Sequence, residues 1–111
     1  MEKVLGKVAI WGFEYDVEFD QYLNGNNALL LTRHDDEEGV VSIPASVNVG
    51  QLPESFVGIK NYSENEGVLD ALIDAGYILE PDYAIPSGFV RIHACRLTPE
   101  ATLLKDKQLS E

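Results

Sequence analysis

From Phe13 to Asp20 the chain alternates without interruption, with Phe13, Tyr15, Val17 and Phe19 interleaved by Glu14, Asp16, Glu18 and Asp20. A period of two puts the apolar groups on one face of a strand and the carboxylates on the other. A helix would smear both sets around its axis. The segment is therefore a half-buried strand, and a sheet with one wet face is the frame the rest of the chain must join.

The neighbouring segments extend that frame. Val4, Val8 and Ile10 make residues 3–10 a strand candidate. Asn24-Gly25 supplies the positive-φ residues of a tight hairpin turn, followed by Asn26-Asn27, and residues 28–33 read as the return strand. Asp35-Asp36-Glu37-Glu38-Gly39 is a second turn, exposed by its charge. Val41, Ile43, Ala45, Val47 and Val49 then alternate with Ser42, Pro44, Ser46 and Asn48, which predicts one strand over 41–49. Pro44 cannot donate to a ladder and places that strand at an edge or a bulge. Residues 51–55 and 80–87 read as loops and 56–60 as a short strand. Residues 88–97 form a final strand, apolar on both faces and hence central.

One helix is predicted over 64–75. Ser63 stands three residues before Glu66, the spacing of a reciprocal capping box, with Glu64 and Glu66 in the first turn. Val68, Leu69, Leu72 and Ile73 make one apolar stripe. Gly76 fits the left-handed position after the helix, and Tyr77 is placed to cover Leu72. Thr98-Pro99-Glu100 starts a short second helix carrying Leu103 and Leu104, and residues 105–111 read as polar and frayed. The sum is an α+β fold in two layers: a mainly antiparallel sheet of about five to six strands, one packed helix and a short C-terminal helix. With 111 residues, the expected organisation is a single domain over 1–97 and a helical or frayed tail over 98–111.

Reactive chemistry is sparse. The two histidines are His34, beside the acidic turn and expected to be exposed, and His93. His93 and Cys95 share one strand face with Arg91 beside them, an arrangement open to ordinary packing, to a reactive Cys–His pair, or to two metal ligands. Zinc sites require roughly three or four ligands at recognisable spacing, and no second pair exists. Pro86-Ser87-Gly88 lacks the glycine two residues before the serine that a nucleophile elbow needs. Gly25, Gly39, Gly50 and Gly58 are scattered and build no phosphate loop. Residues 35–38 lack the alternating ligands of a calcium loop. The sequence thus predicts no catalytic residue, no metal and no cofactor, in a protein that is not an enzyme. No run of ~18 apolar residues is present, Met1 to Ile10 does not resemble a secretory signal, and the lone Cys95 has no internal disulfide partner. A cytoplasmic location is expected.

Charge restricts the partners. Nineteen acids against eight Lys plus Arg give a formal net charge of −11. Such a field opposes direct binding to nucleic acid or anionic membrane, where basic side chains must replace counterions. It attracts a protein with a basic surface. Residues 13–38 hold eight acids and one base, Arg33. Acids on one strand face repeat every ~6.8 Å, twice the rise per residue. That row either keeps an outward face soluble and protected from edge pairing, or imitates a nucleic-acid backbone to a protein that binds one. On the second reading the contact residues are Glu14, Asp16, Glu18, Asp20, Asp35, Asp36, Glu37 and Glu38.

The run Ile59-Lys60-Asn61-Tyr62-Ser63-Glu64-Asn65-Glu66-Gly67-Val68-Leu69, with Leu72, Ile73, Ala75 and Gly76, carries a family likeness. So does Pro86-Ser87-Gly88-Phe89-Val90-Arg91-Ile92, leading to Cys95-Arg96-Leu97. Together with Leu23-Asn24-Gly25-Asn26 and Ser46-Val47-Asn48-Val49, these resemble a family of small acidic proteins known only as a domain of unknown function. The likeness covers roughly residues 8–97. Its members are found mainly on bacterial phages, plasmids and integrative elements. The resemblance implies no activity, cofactor or catalytic residue. It implies a setting in which small acidic proteins block host defence nucleases, of anti-CRISPR or anti-restriction type. The expected function is therefore a non-catalytic accessory protein acting by protein binding. The alternative is a structural or regulatory module with an apolar contact surface built from the edge of the 64–75 helix, Tyr77, Tyr83 and the 80–87 loop. The edge at Pro44 is compatible with a monomer or a weak dimer.

Overall fold

The structure, a computed structural model, describes residues 6–110. The part of the predicted first strand before Gly6 lies outside that range. Strands β1 (Lys7–Ile10), β2 (Phe13–Gln21), β3 (Asn27–Asp35) and β4 (Gly39–Pro44) form an antiparallel meander in chain order. Strands β5 (Phe56–Ile59), β6 (Tyr83–Ser87) and β7 (Val90–Arg96) form a second antiparallel sheet in the order β5-β7-β6. Helices α1 (Val68–Asp74) and α2 (Pro99–Leu109) complete an α+β fold.

β2 carries the alternation that its sequence dictates. Tyr15, Val17 and Phe19 are buried, while Glu14, Asp16, Glu18 and Asp20 are exposed. Phe13, expected on the buried face, is 48% exposed; it stands at the start of β2, in the pair with Ile10 that closes the β1–β2 hairpin. Val17 pairs with Leu31 and Phe19 with Leu29, so these two buried side chains of β2 each meet a buried side chain on β3.

The strands divide into two sheets because the predicted strand over 41–49 breaks after Pro44. Pro44 still pairs with Leu30 at the edge of the meander. Ala45 donates to the Leu29 carbonyl, but beyond it Ser46 bridges Ile59 and Val47 donates to the Gly58 carbonyl. The segment therefore leaves one sheet and lies along the other, covering the outer edge of β5. Gly58 permits this approach: a Cβ there would stand 3.0 Å from Ile92 Cγ2 and 3.2 Å from the Val47 carbonyl. Residues 83–87, expected within a loop, pair with β7 as β6. A Gly88–Phe89 turn joins the two, with Gly88 at φ 65°, and β7 lies at the centre as its two apolar faces predict.

The predicted helix over 64–75 is shorter than expected and starts differently. Ser63–Asn65 is a separate 3-10 turn, and α1 begins at Val68 after Gly67 at φ 100°. The Ser63–Glu66 capping box does not form: Ser63 itself sits at φ 59° and makes no capping bond. Asn61 takes over the task, its Oδ1 accepting from the backbone N–H of Gly67 (3.1 Å) and Leu69 (3.0 Å). The other end follows the sequence. Gly76 at φ 88° donates to the Ile73 carbonyl and Tyr77 to that of Leu72, the paired bonds of a Schellman cap. Tyr77 and Leu72 are both fully buried.

α2 is a full helix. Thr98 caps it, accepting from the Ala101 N–H (3.0 Å) and donating to the Gly76 carbonyl (2.6 Å). Residues 105–109, expected to fray, continue the helix. Lys105 is 8% exposed, its Nζ donating to Asn27 Oδ1 at 3.3 Å. One core joins all layers: Val17 and Leu31 from the meander, Val57 and Cys95 from the second sheet, Leu72 from α1 and Ala101 from α2. Fully burying a side chain such as Leu72 contributes about 1.5–3 kcal/mol.

Candidate functional site

The acids of β2 face away from that core. Of the four, Asp16 is held by an ion pair, its Oδ1 2.6 Å from Lys7 Nζ across the β1–β2 register. The bond raises the Lys7 ammonium above its ordinary pKa. Glu18 Oε2 accepts from the Thr32 hydroxyl at 3.1 Å. Asp20 Oδ1 accepts from the Gln21 N–H at 2.8 Å. Glu14 has no hydrogen bond or ion pair among the described residues. Beside this row runs an open groove of about 400 Å³, lined by Asp16, Glu18, Thr32, Arg33, His34, Val40 and Ser42.

The acidic turn divides into two parts. Asp35 turns inward: its Oδ1 accepts from the N–H groups of Glu37 (2.8 Å) and Glu38 (2.9 Å), and its Oδ2 from Arg33 Nη1 (3.2 Å). The backbone donors, Glu38 first, hold its carboxyl below the usual carboxylate range. Asp36, Glu37 and Glu38 are exposed. The register of β3 carries this turn past Thr32 toward the Glu14 end of the row. Glu14, Asp16, Glu18 and Asp20 are thus brought together on one surface, with Asp36–Glu38 at its end, while Asp35 builds the turn. Of the residues named from the helix cap, Gly76 closes α1 as expected, while Ser63 and Glu66 form no capping box. The backbone carbonyl of Glu66 accepts from Trp11 Nε1 at 3.0 Å.

Cys95 meets His93 through the backbone carbonyl of the histidine. Cys95 is fully buried, 3.8 Å from the His93 carbonyl through its Sγ, and burial pushes its thiol up to about 12. Such a thiol stays protonated and is a poor nucleophile. Among the described residues no group of three or more His, Cys, Asp or Glu side chains could hold a metal ion. No helix of the described residues is long and apolar enough to cross a membrane.

Sequence reasoning missed an asparagine-based scaffold beneath the acidic face. Asn26 Nδ2 donates to Asn48 Oδ1, the Val49 carbonyl and the Gly50 carbonyl at 3.1–3.2 Å, and its Oδ1 accepts from Leu52 N–H. Asn27 Nδ2 donates to the carbonyls of Glu54 (2.8 Å) and Phe56 (2.9 Å). These two side chains fasten the loop of residues 48–56 to the start of β3. The signal was present as Asn26-Asn27 at a strand entrance, where short amides often bond to backbone. Comparison with protein-family models, curated proteins and solved structures finds no match to this chain.

Proposed function

We propose that this chain is a non-catalytic accessory protein that binds a partner with a basic surface through the outer face of β2. The carrying observation is the exposed row Glu14, Asp16, Glu18 and Asp20, in which Lys7 answers only Asp16. The net charge of −11 reinforces the row at long range. The sequence resemblance adds the setting of a phage or other mobile element in the bacterial cytoplasm. There the partner is a nucleic-acid-binding defence protein whose basic groove the acidic face occupies.

The test is capture of partners from bacterial lysate at about 0.1 M and about 1 M salt, where the screening length falls from ~10 Å to ~3 Å. A nucleic-acid-binding protein retained at low salt and released at high salt is expected. Glu14→Lys with Glu18→Lys, which spares the Lys7–Asp16 pair, should abolish its capture. Capture indifferent to both changes overturns the acidic-face reading.

The alternative apolar module is altered by the structure in one respect. Tyr77 is fully buried, its hydroxyl donating to the Lys7 carbonyl at 2.9 Å, and offers no contact surface. Tyr83, tilted against Phe56, remains exposed. A partner that stays bound at 1 M salt favours that reading.

A further inference from the structure

The β1–β2 hairpin turns through Trp11 and Gly12, both with positive φ, at 55° and 81°. A two-residue hairpin of this hand favours Asn or Gly at its first position, and a bulky residue there is a backbone outlier. Trp11 is held in place by its indole N–H on the Glu66 carbonyl, yet its side chain is not hidden: it is 40% exposed. The rings of Trp11 and Phe13 both meet Tyr15 edge-on, with centroids 6.1 and 6.4 Å away. The Arg33 guanidinium lies over Phe13, 3.9 Å from its ring centre, and is tied in turn to Asp35. Trp11 and Phe13 are thus two exposed rings resting on the buried Tyr15, and Arg33 carries the line from Phe13 to Asp35, beside the exposed carboxylates of Asp36–Glu38. Arg33 shows how such a ring seats a guanidinium. Among the described residues no cation lies over Trp11.

We propose that these rings are a docking platform for an arginine-bearing segment of a partner protein, with a guanidinium stacked on Trp11 and neighbouring bases on Asp36–Glu38. The inference rests on the reading of the chain as a binder of basic surfaces and identifies where and by which side chain that surface is read. Arginine is preferred to lysine because its planar, weakly hydrated head stacks on aromatic faces, while lysine acts as a point charge. Trp and Arg are also the residues that most often anchor protein interfaces. The acids beside the rings oppose an anionic membrane as the occupant.

Trp11 is the single tryptophan of the chain, so its emission reports on the platform directly. The native chain is titrated with hexa-arginine and with hexa-lysine, following both Trp11 fluorescence and calorimetric affinity. A saturable Trp11 change with hexa-arginine, and affinity about tenfold above hexa-lysine, is expected. Trp11→Asn keeps a residue suited to the turn and should erase that preference by calorimetry, while Trp11→Phe should retain most of it. If Trp11→Asn does not fold, the emission change and arginine preference of the native chain still decide. Equal binding of both peptides with unchanged Trp11 emission, lost in Glu14→Lys with Glu18→Lys, overturns the platform and leaves the acidic face standing. Binding of neither peptide overturns both.

Discussion

The side-chain amide of Gln108 bonds to Phe19 as a neighbouring strand would. Its Oε1 accepts from the Phe19 backbone N–H at 2.7 Å, and its Nε2 donates to the Val17 carbonyl at 3.0 Å. β1 reaches along β2 only as far as the bond from Val17 N–H to the Gly6 carbonyl among the described residues. Beyond that point α2 closes the edge of β2. Gln108→Ala should leave both backbone groups unpaired and cost about 1–3 kcal/mol in urea unfolding. The Phe19 amide should also lose its protection against hydrogen exchange. A variant with native stability and Phe19 protection would show that the edge needs no such cover.

Asn61 is the cap of α1, so Asn61→Ala should destabilise by about 1–2 kcal/mol, within the range for loss of a helix cap. Ser63→Ala should be nearly neutral, because Ser63 makes no capping bond. The reverse order in thermal or urea denaturation would restore the capping box that the sequence suggests.

Burial pushes the Cys95 thiol and the Tyr77 hydroxyl each up to about 12. In the unfolded chain both ionise earlier, near about 8.5 and 10. The unfolded state thus loses protons that the folded state keeps. Stability from these groups is complete below about pH 8 and declines as pH rises toward 12. Denaturation curves across pH 8–11 should show this fall, and Cys95→Ala should flatten its first part, where the thiol titrates. Iodoacetamide should label Cys95 at pH 8 only when the protein is unfolded.

Both flanking strands carry a proline turned outward. In β4 the bond from Ala45 N–H to the Leu29 carbonyl shows that the odd-numbered residues face β3, so Pro44 faces away, its carbonyl capped by Asn65 Nδ2 at 2.8 Å. In β6 the hairpin closes at Ser87–Val90, which turns Pro86 outward in the same way. Neither can donate to an incoming strand. Pro44→Thr with Pro86→Thr should increase concentration-dependent self-association by analytical ultracentrifugation. The gain should be larger at high salt, where repulsion between chains of net charge −11 is screened. No increase at either salt would mean the edges are closed by something other than proline.

The fold was legible where its causes are local. Phe13 to Asp20 announces a strand because its period needs no knowledge of any other segment. Gly76 and Tyr77 announce a helix end because the Schellman bonds span only a few residues. Ser63 and Glu66 misled for the complementary reason: their spacing is local, but the cap is supplied by Asn61 after two positive-φ residues reshape the entry. The division into two sheets was invisible, since it depends on Gly58 admitting Val47 beside it. β6 looked like a loop because Pro81 and Pro86 bracket a short run with little apolar pattern. At the candidate site the acidic row was readable residue by residue. The line from Trp11 to Asp35 was not, because it joins two hairpins through ring contacts that no spacing rule encodes.

The bond from Gln108 to Phe19 spans 89 positions. During translation at ~5–20 residues per second, Gln108 is added roughly 4–18 s after Phe19. Hairpins form in microseconds, so the meander is ready to assemble long before its bolt exists. For that interval the Phe19 N–H and the Val17 carbonyl lack the partner that Gln108 gives them in the finished chain, while the charges of β2, which discourage pairing with another chain, are already present.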